Sequence, residues 1–336
     1  MLQTPVLLIT FNRPFHTQKV FDIIRKQRPE QLFVFQDGPR TDNHDDLVKC
    51  SAVRKILEER IDWDCKLFTY YSDRNLGCGP GPASGITWFF ENVEQGIIIE
   101  DDALPNDDFF AYTEELLVKY KNVEIIKVIG SMHLDGKNYG DGSYHFSMCN
   151  RNLCAWGTWK RSWLSFNYHL NEVTEIDFKH TLKNYKTTYK EIDYWTEKFL
   201  EIKKDCMNDS SWDIQFIISI WLKKGLGIFP NVNLSTNIGF DSEATHTTEE
   251  NHIASNVSTK KILPLAHPKE IRISRKADLN YHKLYFQPYE YGWSGFKRIP
   301  FYFNKMIKKK FGVNRSWFFH FKKGLISGDH KVLSKK

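Results

Sequence analysis

The chain has no run approaching the ~18 to 20 consecutive apolar residues that a membrane-spanning helix needs, which excludes such a helix. Nor does any cationic residue precede the short apolar stretch within Met1 to Thr10, so a secretory leader is not expected there. The six cysteines, Cys50, Cys65, Cys78, Cys149, Cys154 and Cys206, are scattered with no CxxC spacing. A chain of 336 residues does not need disulfide staples, and a reducing, cytoplasmic setting is expected. Two phosphate-binding signatures are also missing. GxxxxGK followed by Ser or Thr is absent, which disfavours P-loop chemistry. Phe11-Asn12-Arg13-Pro14 stands where a nicotinamide dehydrogenase would carry its first glycines. The glycines at 77, 79, 81 and 85 miss the GxGxxG spacing by one residue and read as a tight loop.

Acidic residues are scarce in one place only. From Phe296 to Lys336 the chain carries twelve Lys or Arg against a single acid, Asp329. The remaining residues hold 35 basic and 40 acidic side chains, so the body has no nucleic-acid-binding charge. Within 296–336 aromatics alternate with lysines: Phe301, Tyr302 and Phe303 precede Lys308 to Lys310, and Trp317, Phe318, Phe319 and Phe321 precede Lys322 and Lys323. That mixture suits an anionic membrane surface, lysines drawn to headgroups and rings entering the acyl boundary. The alternative is a terminal helix whose rings pack on the core.

What the chain has in abundance is material for a core, with 41% hydrophobic and 15% aromatic residues. Short apolar runs at Val6 to Thr10, Leu32 to Gln36, Lys66 to Tyr70, Gly96 to Ile99 and Ile125 to Ile129 predict strands. Helical spacing between them predicts helices over Thr17 to Arg25, Asp45 to Glu59, Ala83 to Asn92 and Asp107 to Lys119. Such βα alternation implies an α/β fold with a mostly parallel sheet covered by helices, and ligands at the carboxyl ends of its strands. Beyond residue 140 the alternation fails and long tryptophan-rich segments follow. The expected organisation is a ligand-binding α/β part at 1–140, a second lobe fused to it at 141–265 and a basic aromatic extension at 266–336.

Three of the expected strand ends carry chemistry: Asn12-Arg13-Pro14, Asp37-Gly38-Pro39-Arg40 and Glu100-Asp101-Asp102. Three adjacent carboxylates behind a buried strand repel one another unless a cation sits with them, and hard oxygen ligands of this kind suit Mg²⁺ or Mn²⁺ bridging a diphosphate. Asp107 and Asp108 are read instead as first-turn acids of the next helix. Ser210-Ser211-Trp212-Asp213 opens another helical segment, where Asp213 is either a first-turn acid or a carboxylate placed as general base. His246 follows a Pro230-Asn231-Val232-Asn233-Leu234-Ser235 stretch and could reach a metal or a diphosphate.

In order along the chain, PVLLITFNRP, FVFQDGPR, RNLGCG, ITWFFEN, IIIEDDALPNDDFF, a WGTW segment, SSWD and PNVNLSTNIG resemble the GT-A nucleotide-sugar glycosyltransferases. The similarity is greatest to the N-acetylglucosaminyltransferase I-like group with its bacterial relatives, and spans roughly residues 5 to 250. It implies a Rossmann-like GT-A fold and a metal-dependent, inverting transfer of a sugar from a UDP-sugar to a hydroxyl of a glycan or lipid-linked acceptor. By the same resemblance Asp102 coordinates Mn²⁺, Asp101 and Glu100 support the ribose, sugar or metal shell, and Asp213 is the base. Asn12, Arg13, Arg74, Asn75 and Asp37 hold the nucleotide, with Asp37 facing the uracil. Trp156 and Gly157, in a turn over 154–159, line the donor sugar and acceptor, and His246 is a further metal or diphosphate ligand. One departure is that the histidine the family carries in the helix before EDD has no equivalent here, its place falling near Gly85. The implied setting is polysaccharide or lipid-linked oligosaccharide assembly at the inner face of a bacterial membrane. The rival readings are a nucleotidyltransferase and a non-catalytic nucleotide-sugar-binding or glycan-binding protein.

Overall fold

In the computed structural model the described residues are 1–148, 153–205, 212–239, 253, 255 and 257–286. Residues 1–285 form one unit, and the basic aromatic stretch at 296–336 lies outside the described residues. The unit begins β1 (Val6–Thr10), α1 (Pro14–Gln27), β2 (Gln31–Gln36), α2 (His44–Arg60), β3 (Lys66–Tyr71), α3 (Pro80–Asn92) and β4 (Gln95–Glu100). It continues with β5 (Ala103–Pro105), α4 (Asp107–Lys119), β6 (Ile126–Gly130), β7 (Tyr144–Ser147), β8 (Ala155–Trp159) and α5 (Lys160–Trp163). Then come α6 (Glu175–Lys183), α7 (Tyr189–Asp205), α8 (Asp213–Leu222), β9 (Leu226–Pro230), β10 (Ser235–Asn237) and α9 (Arg275–Tyr281), which runs into a π-helical turn at His282–Phe286.

Eight strands form one sheet in the order β3-β2-β1-β4-β8-β6-β9-β7, and β10 pairs with β5 in a small second sheet. β1 pairs in parallel with β2 and β4, β2 with β3, and β6 with β9, whereas β8 runs antiparallel between β4 and β6. Six strands therefore point the same way, and their carboxyl ends share one rim. The fold is a mixed α/β, Rossmann-like arrangement of mostly parallel strands flanked by helices.

Local sequence explains the early elements. VLLIT is buried along its whole length because both faces of β1 are covered. Pro14 begins α1, where a missing N–H costs nothing and the fixed φ suits the first turn. Asn106 caps α4 by accepting from the Phe109 N–H at 3.1 Å, and Asp107 and Asp108 are first-turn acids as expected. β3 departs from the expectation of strands buried on both sides. It is the sheet's edge, and Lys66 to Tyr70 are exposed.

The larger departures lie beyond residue 140. That region does not stand apart from the sheet, since it supplies β7, β8 and β9 to it. Residues 155–159, expected as part of a turn, are the central strand β8, with Trp156 opposite Ile98 and Gly157 opposite Ile97 of β4. Alternation along this strand sends neighbouring residues to opposite faces. Gly157 faces α4, where an added Cβ would lie 2.3 Å from Cγ2 of Thr113. Trp156 faces the other way, onto Trp212 and Phe216 of the α8 segment, with ring centroids 5.6 and 5.5 Å away.

Candidate functional site

The parallel register of β1 with β2 and β4 places Thr10 beside Gln36 and Ile9 beside Glu100. The segments that follow, Asn12-Arg13, Asp37-Gly38 and Asp101-Asp102, are therefore gathered at one rim although they are far apart along the chain. β10 completes the corner: its antiparallel pairing with β5 carries residues 237–239 across the acidic turn, and the Ile238 N–H donates to the Asp102 carbonyl at 2.9 Å. His16, buried in α1, supports the same crossing through Nε2 at 3.3 Å from the Ile238 carbonyl. Gly239 has to be small, because a Cβ there would fall 2.3 Å from Oδ2 of Asp102.

Within the turn the three acids differ. Glu100 ends β4, and burial, reinforced by the charges of Asp102, Asp213 and Asp101, holds its carboxyl well above the usual range. Asp101 is buried and accepts from the Phe11 N–H at 3.4 Å and from Arg13. Burial raises its carboxyl against the lowering pull of Arg13. Asp102 keeps 18% of its side chain exposed and contacts the same Arg13 nitrogen at 3.3 Å. Burial alone would lower the Arg13 guanidinium, but Asp101 and then Asp102 outweigh it and raise it above its ordinary value.

Asp213, the first residue of α8, belongs to this corner electrostatically, since its charge is among those that raise Glu100. The connection is made through rings. Trp212 stacks on Trp156 at an interplanar angle of 25°, and Trp156 sits beside Ile98, two residues before Glu100. Cys154, just ahead of β8, is buried in the same corner, and burial followed by the charges of Asp102 and Glu100 pushes its thiol well up.

The loops around the expected nucleotide residues are tightly built. Asp37 accepts from the N–H groups of Gly38 at 2.9 Å, Leu76 at 2.8 Å and Gly77 at 3.0 Å, and from Nδ2 of Asn75 at 3.1 Å. Four donors fill the acceptor sites of one carboxylate, so Asp37, at the end of β2, organises the 74–77 loop that follows β3. Burial raises its carboxyl and these backbone donors oppose the rise. Arg74 is exposed on that loop, and Asn75 also donates to the Gly38 carbonyl at 2.8 Å. Asn12 donates through Nδ2 to Asp46 at 2.7 Å.

Asp46 is the residue that sequence reasoning passed over. It lies in α2, 1% exposed, and also accepts from Arg40 through the backbone N–H at 3.1 Å, Nε at 2.6 Å and Nη2 at 2.8 Å. One carboxylate thus ties the loop after β1 to the loop after β2. A signal was present: Asp46 shares a helical stripe with buried Cys50, Val53 and Leu57, where an acid has no place unless it is paired. The asparagines of PNVN are likewise internal ties. Asn233 Oδ1 accepts from the His133 N–H at 3.0 Å, and Asn231 Oδ1 accepts from the Tyr139 N–H at 3.2 Å.

The structure brings together Arg13, Glu100, Asp101, Asp102, Asp213 and Trp156 in one corner, with Asn12, Asp37, Arg74 and Asn75 in the adjoining loops. Gly157 is reserved for packing against α4, and His246 lies outside the described residues. No cluster of three or more His, Cys, Asp or Glu able to hold a metal occurs among the described residues. The donor set nonetheless fits a magnesium-like ion, which is commonly held by one or two carboxylates with substrate phosphates and water rather than by a protein cage. Asp102 is the partly exposed carboxylate suited to that purpose, beside Glu100 and Asp101 and with Arg13 as the cation paired to the two aspartates.

No protein-family model matches the chain, and no curated protein matches it. Solved structures of similar fold include a putative glucose-1-phosphate thymidylyltransferase from Bacillus anthracis, at 9% identity over 77% of this chain and 98% of that one, with a TM-score of 0.34. A UDP-glucose pyrophosphorylase matches at 9% identity over 68% of this chain and 90% of its own, TM-score 0.31. A 4-diphosphocytidyl-2C-methyl-D-erythritol synthase from Anaerococcus prevotii matches at 11% identity over 51% and 79%, TM-score 0.32. None of these three bears the name of a glycosyltransferase, and at such scores the likeness carries no argument about activity.

Proposed function

We propose that the chain is a metal-dependent transferase acting on a nucleotide sugar, and that it moves the sugar of a UDP-sugar to a hydroxyl of a glycan or lipid-linked acceptor. The observation that supports this reading is the Trp156–Trp212 stack, which joins the strand beside β4 to the start of α8 and so brings Asp213 near enough for its charge to act on Glu100. A divalent ion, when bound, neutralises charge on the departing diphosphate. Asp102 is the residue to hold it, with Glu100 beside it and His246 as a further candidate ligand. Asp213 acts as the base. Its carboxylate takes the proton of the acceptor hydroxyl as that oxygen bonds the anomeric carbon and the bond to the diphosphate breaks on the opposite side. The configuration of that carbon inverts. Asn12, Arg13, Asp37, Arg74 and Asn75 are the proposed nucleotide contacts.

A second reading is nucleotidyl transfer, the activity named for the similar solved structures. Such an enzyme usually carries a basic phosphate-binding loop near its start, and Arg13 alone in Phe11-Asn12-Arg13-Pro14 is a poor substitute for one. Product analysis separates the readings. A UDP-sugar incubated with Mn²⁺ and the protein should release UDP; formation of UTP on adding pyrophosphate would establish nucleotidyl transfer, and binding without turnover a binding module. Calorimetry on Asp102→Ala should show loss of Mn²⁺-dependent UDP binding, and undiminished binding would remove Asp102 as the ligand. The 296–336 stretch is proposed to attach the enzyme to an anionic membrane surface. Liposome co-sedimentation with and without it is the test, and equal recovery refutes attachment.

A further inference from the structure

Arg13 stands where the proposed reaction needs a cation, and it fills that place before any ligand arrives. A single guanidinium nitrogen contacts Oδ1 of Asp101 and lies 3.3 Å from Oδ2 of Asp102. The two bonds differ in strength and in setting. Asp101 is 4% exposed and the Phe11 N–H approaches it only to 3.4 Å, so Arg13 is its principal neutralising partner. Asp102 is more open, and its contact with Arg13 is the longer one. The Asp101 bond can therefore persist while the Asp102 contact is given up. A guanidinium has five donors in a rigid fork and pairs with phosphate oxygens two at a time.

Resting on the nucleotide-sugar reading above, we infer that Arg13 is the resident counter-ion of the acidic turn and a switch between ligands. With the site empty it holds Asp102, and on donor arrival it keeps Asp101 while turning its remaining N–H groups to the diphosphate, which releases Asp102 for the metal. The consequence is a coupling written into one side chain. A metal ion approaching Asp102 in the absence of nucleotide meets a fixed positive charge at the same oxygen and binds weakly. Nucleotide removes that charge from Asp102 and supplies phosphate oxygens, so each ligand raises the affinity of the other, as linkage requires.

The test measures Mn²⁺ affinity by the paramagnetic resonance of free Mn²⁺, and UDP affinity by calorimetry, on the full chain and on Arg13→Gln. Nucleotide-free Arg13→Gln should bind Mn²⁺ about tenfold more tightly than the parent chain, well inside the roughly 5- to 150-fold span of coupled sites. Its metal-free affinity for UDP should fall by a comparable factor. Arg13→Lys, which keeps the charge but not the fork, should retain weak nucleotide-free metal binding. Because Arg13→Gln leaves a buried Asp101 without its partner, the double variant Arg13→Gln, Asp101→Asn is measured alongside, with folding followed by circular dichroism. Unchanged nucleotide-free Mn²⁺ affinity in whichever variant folds, with UDP still bound by the parent, overturns the inference and leaves the proposed function standing. Failure of the parent chain to bind Mn²⁺ even with UDP present removes the proposed function and this inference with it.

Discussion

Asp46→Asn tests whether the site rests on its loops. The substitution keeps the shape and removes the charge. Oδ1 of Asp46 accepts from Asn12 and Arg40 Nη2, and Oδ2 accepts from the backbone and Nε of Arg40. Whichever oxygen becomes an NH₂ group then faces two donors. Hydrogen bonds to a charged group contribute about 1.5 to 3 kcal/mol each, but the Arg40 side chain is 52% exposed and solvent screens its share. The net loss should be about 2 to 3 kcal/mol, which for a chain of this size lowers the melting temperature by roughly 3 to 4 °C. The pH dependence follows from the direction of the shift. The hydrogen bonds from Arg40, first among the causes, pull the Asp46 carboxyl down to about 2 from an ordinary 3.8. Its contribution is therefore fully present above pH 3.8 and is lost as the pH falls through about 2. Thermal unfolding of both proteins at about pH 7 and at steps down to about pH 3 should show a gap that narrows below about pH 4. UDP affinity should drop with the melting point, because Asn12 and Arg40 are released together. Equal melting temperatures at neutral pH would refute the clamp.

Asp213→Asn should leave donor binding intact and lower turnover by roughly 100-fold or more, the usual scale of base catalysis; steady-state kinetics with an acceptor decide it, and unchanged turnover excludes Asp213. Gly239→Ala puts a methyl 2.3 Å from Oδ2 of Asp102, so metal-dependent UDP binding should fall while the fold, followed by circular dichroism, persists. Trp212→Ala removes the ring stacked on Trp156 and should cost about 3 to 5 kcal/mol in denaturant unfolding.

The sequence was legible where its signals are local. β1, β2, β4 and the helices between them follow from apolar spacing; Asp107 and Asp108 mark the start of α4, while α1 begins at Pro14, three residues ahead of the expected Thr17. Glu100 to Asp102 stood out for the same reason, as an uncompensated charge beside a buried run. Non-local features were not legible. β8 is held by partners on β4 and β6, its five residues include Gly157, and no periodicity in AWGTW announces a central strand. The commitment of Arg13 joins residues 88 and 89 positions apart, and the role of Asp37 depends on a loop 39 residues downstream. Spacing records which residues share an element, not which elements meet.

One pair of indole rings has a bearing on redesign. Trp156 belongs to the strand next to β4, and Trp212 precedes the proposed base, so the two buried rings form a common wall between the central sheet and the start of α8. Under the proposed function, trimming Trp212 to enlarge an acceptor side would unseat Trp156 as well, so donor handling would change along with acceptor choice. Variants that alter one preference alone should instead be sought at positions that do not touch this wall.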